Sequence, residues 1–157
     1  MILTCKLILK KKYQGQLPDV MVLVLIEVDR FGGSYSMSST KFRRHNLIYF
    51  ELSLNSDVLN NYPLEMHGND SVEFYYRYLK TTERLDNPFC STALTHKQYD
   101  NSNFQIVHNF ENEKGQEGQL SCKIKFSKPL TEKLILLCMP VTEKKIYFDN
   151  HFNVIKQ

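Results

Sequence analysis

The sequence predicts an all-β fold, an antiparallel β-sandwich, and three observations predict it. Phe and Tyr are abundant, with 10 and 9 residues, while Gly is scarce, with 6; aromatic side chains fit a pleated, half-buried surface. Apolar residues recur with a period of two in segment after segment, the spacing that places alternate side chains on one face of a strand. Polar clusters bearing Gly, Asn, Asp or Pro separate these segments, as turns between short strands do.

The elements follow in order. Residues 1–10 read as a strand with Leu3, Cys5, Leu7 and Leu9 inward and Lys6 and Lys10 outward. From Val20 to Val28 every even position is β-branched, and Met21, Leu23 and Leu25 fill the odd ones. Branching at Cβ favours extended backbone. With both faces apolar, this is a central strand covered on both sides, and Asp29-Arg30-Phe31-Gly32-Gly33 supplies the turn after it. Residues 47–54 set Ile48, Phe50, Leu52 and Leu54 against Tyr49, Glu51 and Ser53. Ser56 can cap a short helix that Pro63 ends.

Residues 71–80 again alternate, with Val72, Phe74, Tyr76 and Tyr78 on one face and Glu73, Tyr75, Arg77 and Leu79 on the other. The stretch 81–103 has no period and is either a long loop or a short helix across one end of the sheet. Residues 104–110 and 119–126 flank the polar "ENEKGQEG" and read as a hairpin. Strands at 133–139, 144–148 and 151–155 complete the chain, with "PVTE" and "DNH" as turns. Many short strands with polar turns suggest a C2-like or immunoglobulin-like sandwich. The alternative is an OB-type barrel with additions. No repeat, linker or low-complexity tract divides the chain, so residues 1–157 form a single β domain.

Composition narrows the function classes. Net charge is +3 and the pI about 8.6, short of the strongly basic character of a dedicated nucleic-acid binder. Cys5 and Cys122 sit within alternating apolar patterns, where reduced thiols act as small hydrophobes; the expectation is free thiols and a cytoplasmic or nuclear protein. "MILTCKLILKKK" places its apolar residues before its lysines, the reverse of a signal peptide. No apolar run approaches the ~20 residues of a membrane span.

Catalytic and metal constellations are not evident. There is no G-x-S-x-G elbow, and Cys90 with His96 is the only Cys–His pairing close in sequence. Zinc needs closely spaced soft ligands, whereas the cysteines and the histidines (45, 67, 96, 108, 151) are scattered. Asp29, Asp86, Asp100 and Asp149 occur singly, not in the clusters calcium requires. Gly32-Gly33 lacks the rest of a phosphate-cradling pattern. The expectation is a protein without enzymatic activity, cofactor or metal.

Two sets of residues suggest binding. Tyr75, Arg77 and Leu79 share the outward face of the predicted strand at 71–80 and are the protein-interface candidates, since Tyr and Arg are enriched at interfaces. Lys41, Phe42, Arg43 and Arg44 combine positive charge with an aromatic ring, the combination that grips single-stranded nucleic acid. Further lysines, at 10–12 and at 123, 125 and 128, also suit solvated strand edges. The sequence thus points first to a non-enzymatic interaction or scaffolding subunit of a larger intracellular assembly, bound to another protein chain. An OB-type single-stranded nucleic-acid-binding protein is the alternative.

Overall fold

The structure is a computed structural model that describes residues 2–7, 17–33, 41–66, 71–82, 94–113, 115–142, 147–148 and 154–155. It is mostly β, with two antiparallel sheets. The first contains β1 (Ile2–Leu7), β7 (Leu120–Phe126), β3 (Leu47–Leu54) and β4 (Asp57–Val58) in that order, with β5 (Leu64–Glu65) also paired to β3. The second runs β6 (Ile106–Asn109), β2 (Val20–Glu27), β8 (Leu134–Val141). A small hairpin pairs β9 (Tyr147–Phe148) with β10 (Val154–Ile155). Residues of both large sheets meet in one apolar cluster, an arrangement compatible with a sandwich. Among the described residues neither sheet closes into a barrel.

The most apolar stretch is central, as its composition requires. β2 is the middle strand of its sheet, and its odd positions Met21, Leu23 and Leu25 enter the shared core. Val24 and Ile26 on the opposite face are buried too. In place of the expected turn, Val28–Phe31 form a single helical turn, α1. Arg30 there folds back on Glu27 in a buried ion pair. β3 and β7 alternate as expected, with one correction. The ladder shifts between Leu47 and Tyr49, so Ile48 bulges out and Leu47 takes the core position instead.

The all-β expectation fails at residues 71–80, which form a helix, α2 (Val72–Thr81). Aromatic residues on both parities satisfy a period of two, but they also make a helical stripe. Phe74 and Tyr78, one turn apart, enter the core; Tyr75 and Leu79 pack at its margin. A second helix, α3 (His96–Ser102), closes the aperiodic segment in the helical sense. Thr95 and Gln98 form a reciprocal capping box at its start. Tyr99 of α3 stacks on both Tyr75 and Tyr78, with ring centres 5.3 Å apart in each pair.

Three further expectations are corrected. Over the described part of 56–68 there is no helix. Asn55 and Ser56 make a left-handed turn, β4 and β5 follow, and the Tyr62–Pro63 peptide bond is cis. Residues 104–110 and 119–126 are not a hairpin, because β6 pairs with β2 whereas β7 pairs with β1 and β3. Their connection crosses from one sheet to the other, turning through a 3-10 turn at Glu111–Glu113. The Asn55 carboxamide holds it by accepting from Gln119 N at 2.9 Å and donating to the Glu117 carbonyl at 3.1 Å. A Cβ at Gly118 would lie 2.2 Å from Asn55 Oδ1, so a larger residue here must displace the Asn55 carboxamide. "PVTE" is not wholly a turn either, since Pro140 and Val141 remain in β8.

Candidate functional site

The helix at 72–81 walls one side of a concavity. α2 packs beside β6, an edge strand of its sheet among the described residues, and a cleft of about 540 Å³ opens along α2, β6, the 3-10 turn and the Asn60–Asn61 loop. Phe110 N donates to Asp19 O at 2.8 Å, which fixes the alternation of the β2–β6 ladder. By that alternation the N–H and C=O groups of Val107 and Asn109 point away from β2. Both residues line the cleft.

A chain of polar side chains leads from the rim to the floor. Arg77 lies over the Tyr62 ring, 4.9 Å from its centre, and is held by Glu73 at 3.0 Å and by the Asn61 carbonyl. The Tyr62 hydroxyl meets His108 Nδ1 at 3.2 Å. On the other side of the ring, His108 Nε2 stands 3.7 Å from Glu113 Oε2. The His108 and Glu113 side chains are only 8% and 7% exposed. Burial, reinforced by the nearby Arg77 charge, pushes the imidazole down to about 4. Burial likewise raises Glu113 above the usual carboxylate range and Tyr62 above the usual phenol range. The pair is therefore a neutral ring beside a desolvated carboxyl.

A positive charge over Tyr62 makes its phenol a better donor, and the nearest acceptor is the Nδ1 lone pair. In the tautomer with Nδ1 as acceptor, the ring proton sits on Nε2, facing Glu113. Beneath the cleft a ring nitrogen and a carboxyl oxygen thus stand side by side, both shielded from solvent and too far apart to hydrogen-bond.

A second polar cluster joins the two helices. Ser71 Oγ lies 2.8 Å from Asp100 Oδ1 and 2.9 Å from His96 Nε2. A nucleophilic serine needs its proton accepted by histidine and the carboxylate placed behind that histidine. Here the carboxylate takes the hydroxyl proton, and Ser71 is fully buried. The cluster ties the start of α2 to α3. Among the described residues, no three His, Cys, Asp or Glu side chains converge as a metal site would require. Cys122 is buried and Cys138 half-buried, while Cys90 and the Cys5 side chain lie outside the described residues.

The interface candidates are separated by the change from strand to helix. Tyr75 turns inward, its hydroxyl donating to the Leu94 carbonyl and its ring stacked on His96. Leu79 packs against the core. Arg77 alone reaches the cleft. Sequence reasoning missed Tyr62, His108 and Glu113, and assigned Tyr76 to the inner face. Tyr76 is instead exposed and lines the cleft.

The basic set is divided too. Lys41 and Arg43 are exposed. Arg44 turns to Asp100, 3.6 Å away, and to Met66 Sδ at 3.3 Å. Phe42 is half-buried, bridged through its backbone to Ser102 and Phe104. Lys125 and Lys123 lie 4.1 and 5.8 Å from the Tyr49 ring centre. Lys10, Lys11 and Lys12 lie outside the described residues. No helix among the described residues is long and apolar enough to cross a membrane.

Comparison of the chain with protein-family models, with curated proteins and with solved structures returned no match.

Proposed function

We propose that this chain is a non-enzymatic protein-interaction domain, a binding or scaffolding subunit of an intracellular assembly, and that α2 with its cleft is the surface it uses. One observation carries the reading. Val72 and Tyr76, adjacent on successive turns of α2, are 53% and 49% exposed at the side of a cleft that Tyr76 itself lines. An aromatic ring at the mouth of a concavity, next to an oriented arginine, is the kind of anchor that dominates protein interfaces.

The test is affinity capture from native lysate, with and without nuclease, comparing wild type with Tyr76→Ala and with Lys41→Ala/Arg43→Ala. Under this reading a nuclease-resistant partner is retained by the wild type and by the double variant, and is lost from Tyr76→Ala. A complex abolished by nuclease and by loss of Lys41 and Arg43 would instead favour single-stranded nucleic acid.

A further inference from the structure

The α2 cleft continues past the 3-10 turn. A second hollow of about 180 Å³, lined in part by Asn55, Asp57 and Gln116, shares Asn60 and Asn112 with it, so the two adjoin at this pair. Asn60 lies between β4 and β5 and Asn112 in the 3-10 turn, so two separate elements each bring a carboxamide to the junction. Both residues are exposed. We infer that this groove grips an extended segment of a partner protein by its main chain, with Asn60 and Asn112 as the gripping side chains; this rests on the reading of α2 as the protein-binding surface.

The molecule holds its own example of such a grip, at the end of the same groove. The Asn55 carboxamide accepts from Gln119 N at 2.9 Å and donates to the Glu117 carbonyl at 3.1 Å. On an extended chain the carbonyl of one residue and the N–H two residues on point to the same side, and one carboxamide meets both. A lysine offers only donors and a carboxylate only acceptors, whereas an amide offers one of each on a planar end. Every residue of a main chain except proline likewise carries one of each. The match is therefore to the backbone and tolerates many side chains.

Sugar hydroxyls also suit carboxamides, but a further feature of the groove favours a polypeptide. Asn109, exposed and on the same cleft, directs its main-chain N–H and C=O away from β2. A sheet edge is a template for another extended chain, whose affinity comes from main-chain bonds and whose selectivity comes from neighbouring pockets. Here that selectivity falls to the exposed Tyr76 ring at the rim.

A random peptide library displayed on phage, selected on the folded protein and counter-selected on Tyr76→Ala, tests this. Synthetic copies of the selected peptides are then scanned twice, by alanine and by N-methylation of the backbone. The expected result is at least one residue that tolerates alanine but binds roughly tenfold or more weakly once its N–H is methylated. That arm alters only the peptide, so misfolding cannot mimic it. Asn60→Ala/Asn112→Ala should weaken the same peptides by a similar factor and keep the wild-type urea midpoint, since both residues are exposed. Affinity that follows side chains alone, or that survives loss of both asparagines, overturns the inference and leaves the interface reading standing. If no selected peptide depends on Tyr76, both fall; oligosaccharide binding on a glycan array in its place would assign the carboxamides to sugar hydroxyls.

Discussion

Acidification should weaken this fold through His108, and the structure sets the size of the effect. The ring is buried, packed edge-on against Phe110 with centres 4.5 Å apart. Burial and the Arg77 charge hold it near 4, against an ordinary 6.5. In the window between those values the unfolded chain takes up a proton that the folded chain refuses. Stability therefore rises with pH across the window, is fully present above 6.5, and is lost as pH falls towards 4. At ~1.4 kcal/mol per pH unit the interval is worth about 3 kcal/mol.

Glu113 acts in the opposite sense. Its pKa is raised, so its contribution declines as pH rises through the folded value and offsets part of the His108 slope in the wild type. Glu113→Gln removes the offset. Urea unfolding of Glu113→Gln and of Glu113→Gln/His108→Gln, followed by circular dichroism across the window, isolates the histidine. His45, also lowered by burial, is common to both proteins and cancels. The single variant should gain about 3 kcal/mol more than the double variant between the two ends of the window. Parallel curves would show that the ring is solvated in the folded state, and would refute the buried His108–Glu113 pair.

Three further outcomes follow from packing. Phe74→Ala, at a position 2% exposed, should cost ~3–5 kcal/mol, and Tyr76→Ala less than ~0.5 kcal/mol; equal losses in urea titrations would restore a strand in which both rings face inward. Gly118→Ala should destabilise by about 1–2 kcal/mol through the Asn55 clamp, and the loss should shrink in an Asn55→Ala background, as a double-mutant cycle will show. Val24→Asp places a charge at a position 1% exposed and should abolish cooperative unfolding; a variant with native circular dichroism and an unchanged urea midpoint would mean that this face of β2 is open.

Legibility in the sequence tracks how many structures a pattern can satisfy. β2 is readable because β-branching at every second residue excludes most alternatives, and β7 because its burial alternates without fault from Leu120 to Phe126. "VEFYYRYLKT" satisfies two periods at once, so apolar spacing alone could not decide it. The charges could have. Glu73 and Arg77 lie four apart; in a strand that separation spans ~13 Å, in a helix one turn of ~6 Å. Only the helix brings them to the observed 3.0 Å. The "THKQ" capping box before α3 was a similar unread signal. The cleft floor is a different case. Tyr62, Arg77, His108 and Glu113 come from a loop, a helix, an edge strand and a 3-10 turn, and no spacing along the chain relates them. A strand groups Arg77 with Tyr75 and Leu79 on one outward face, yet the helix turns those two inward and leaves Arg77 over Tyr62. A site assembled across sheets becomes legible only once the element that positions its rim is known, and here that element is α2.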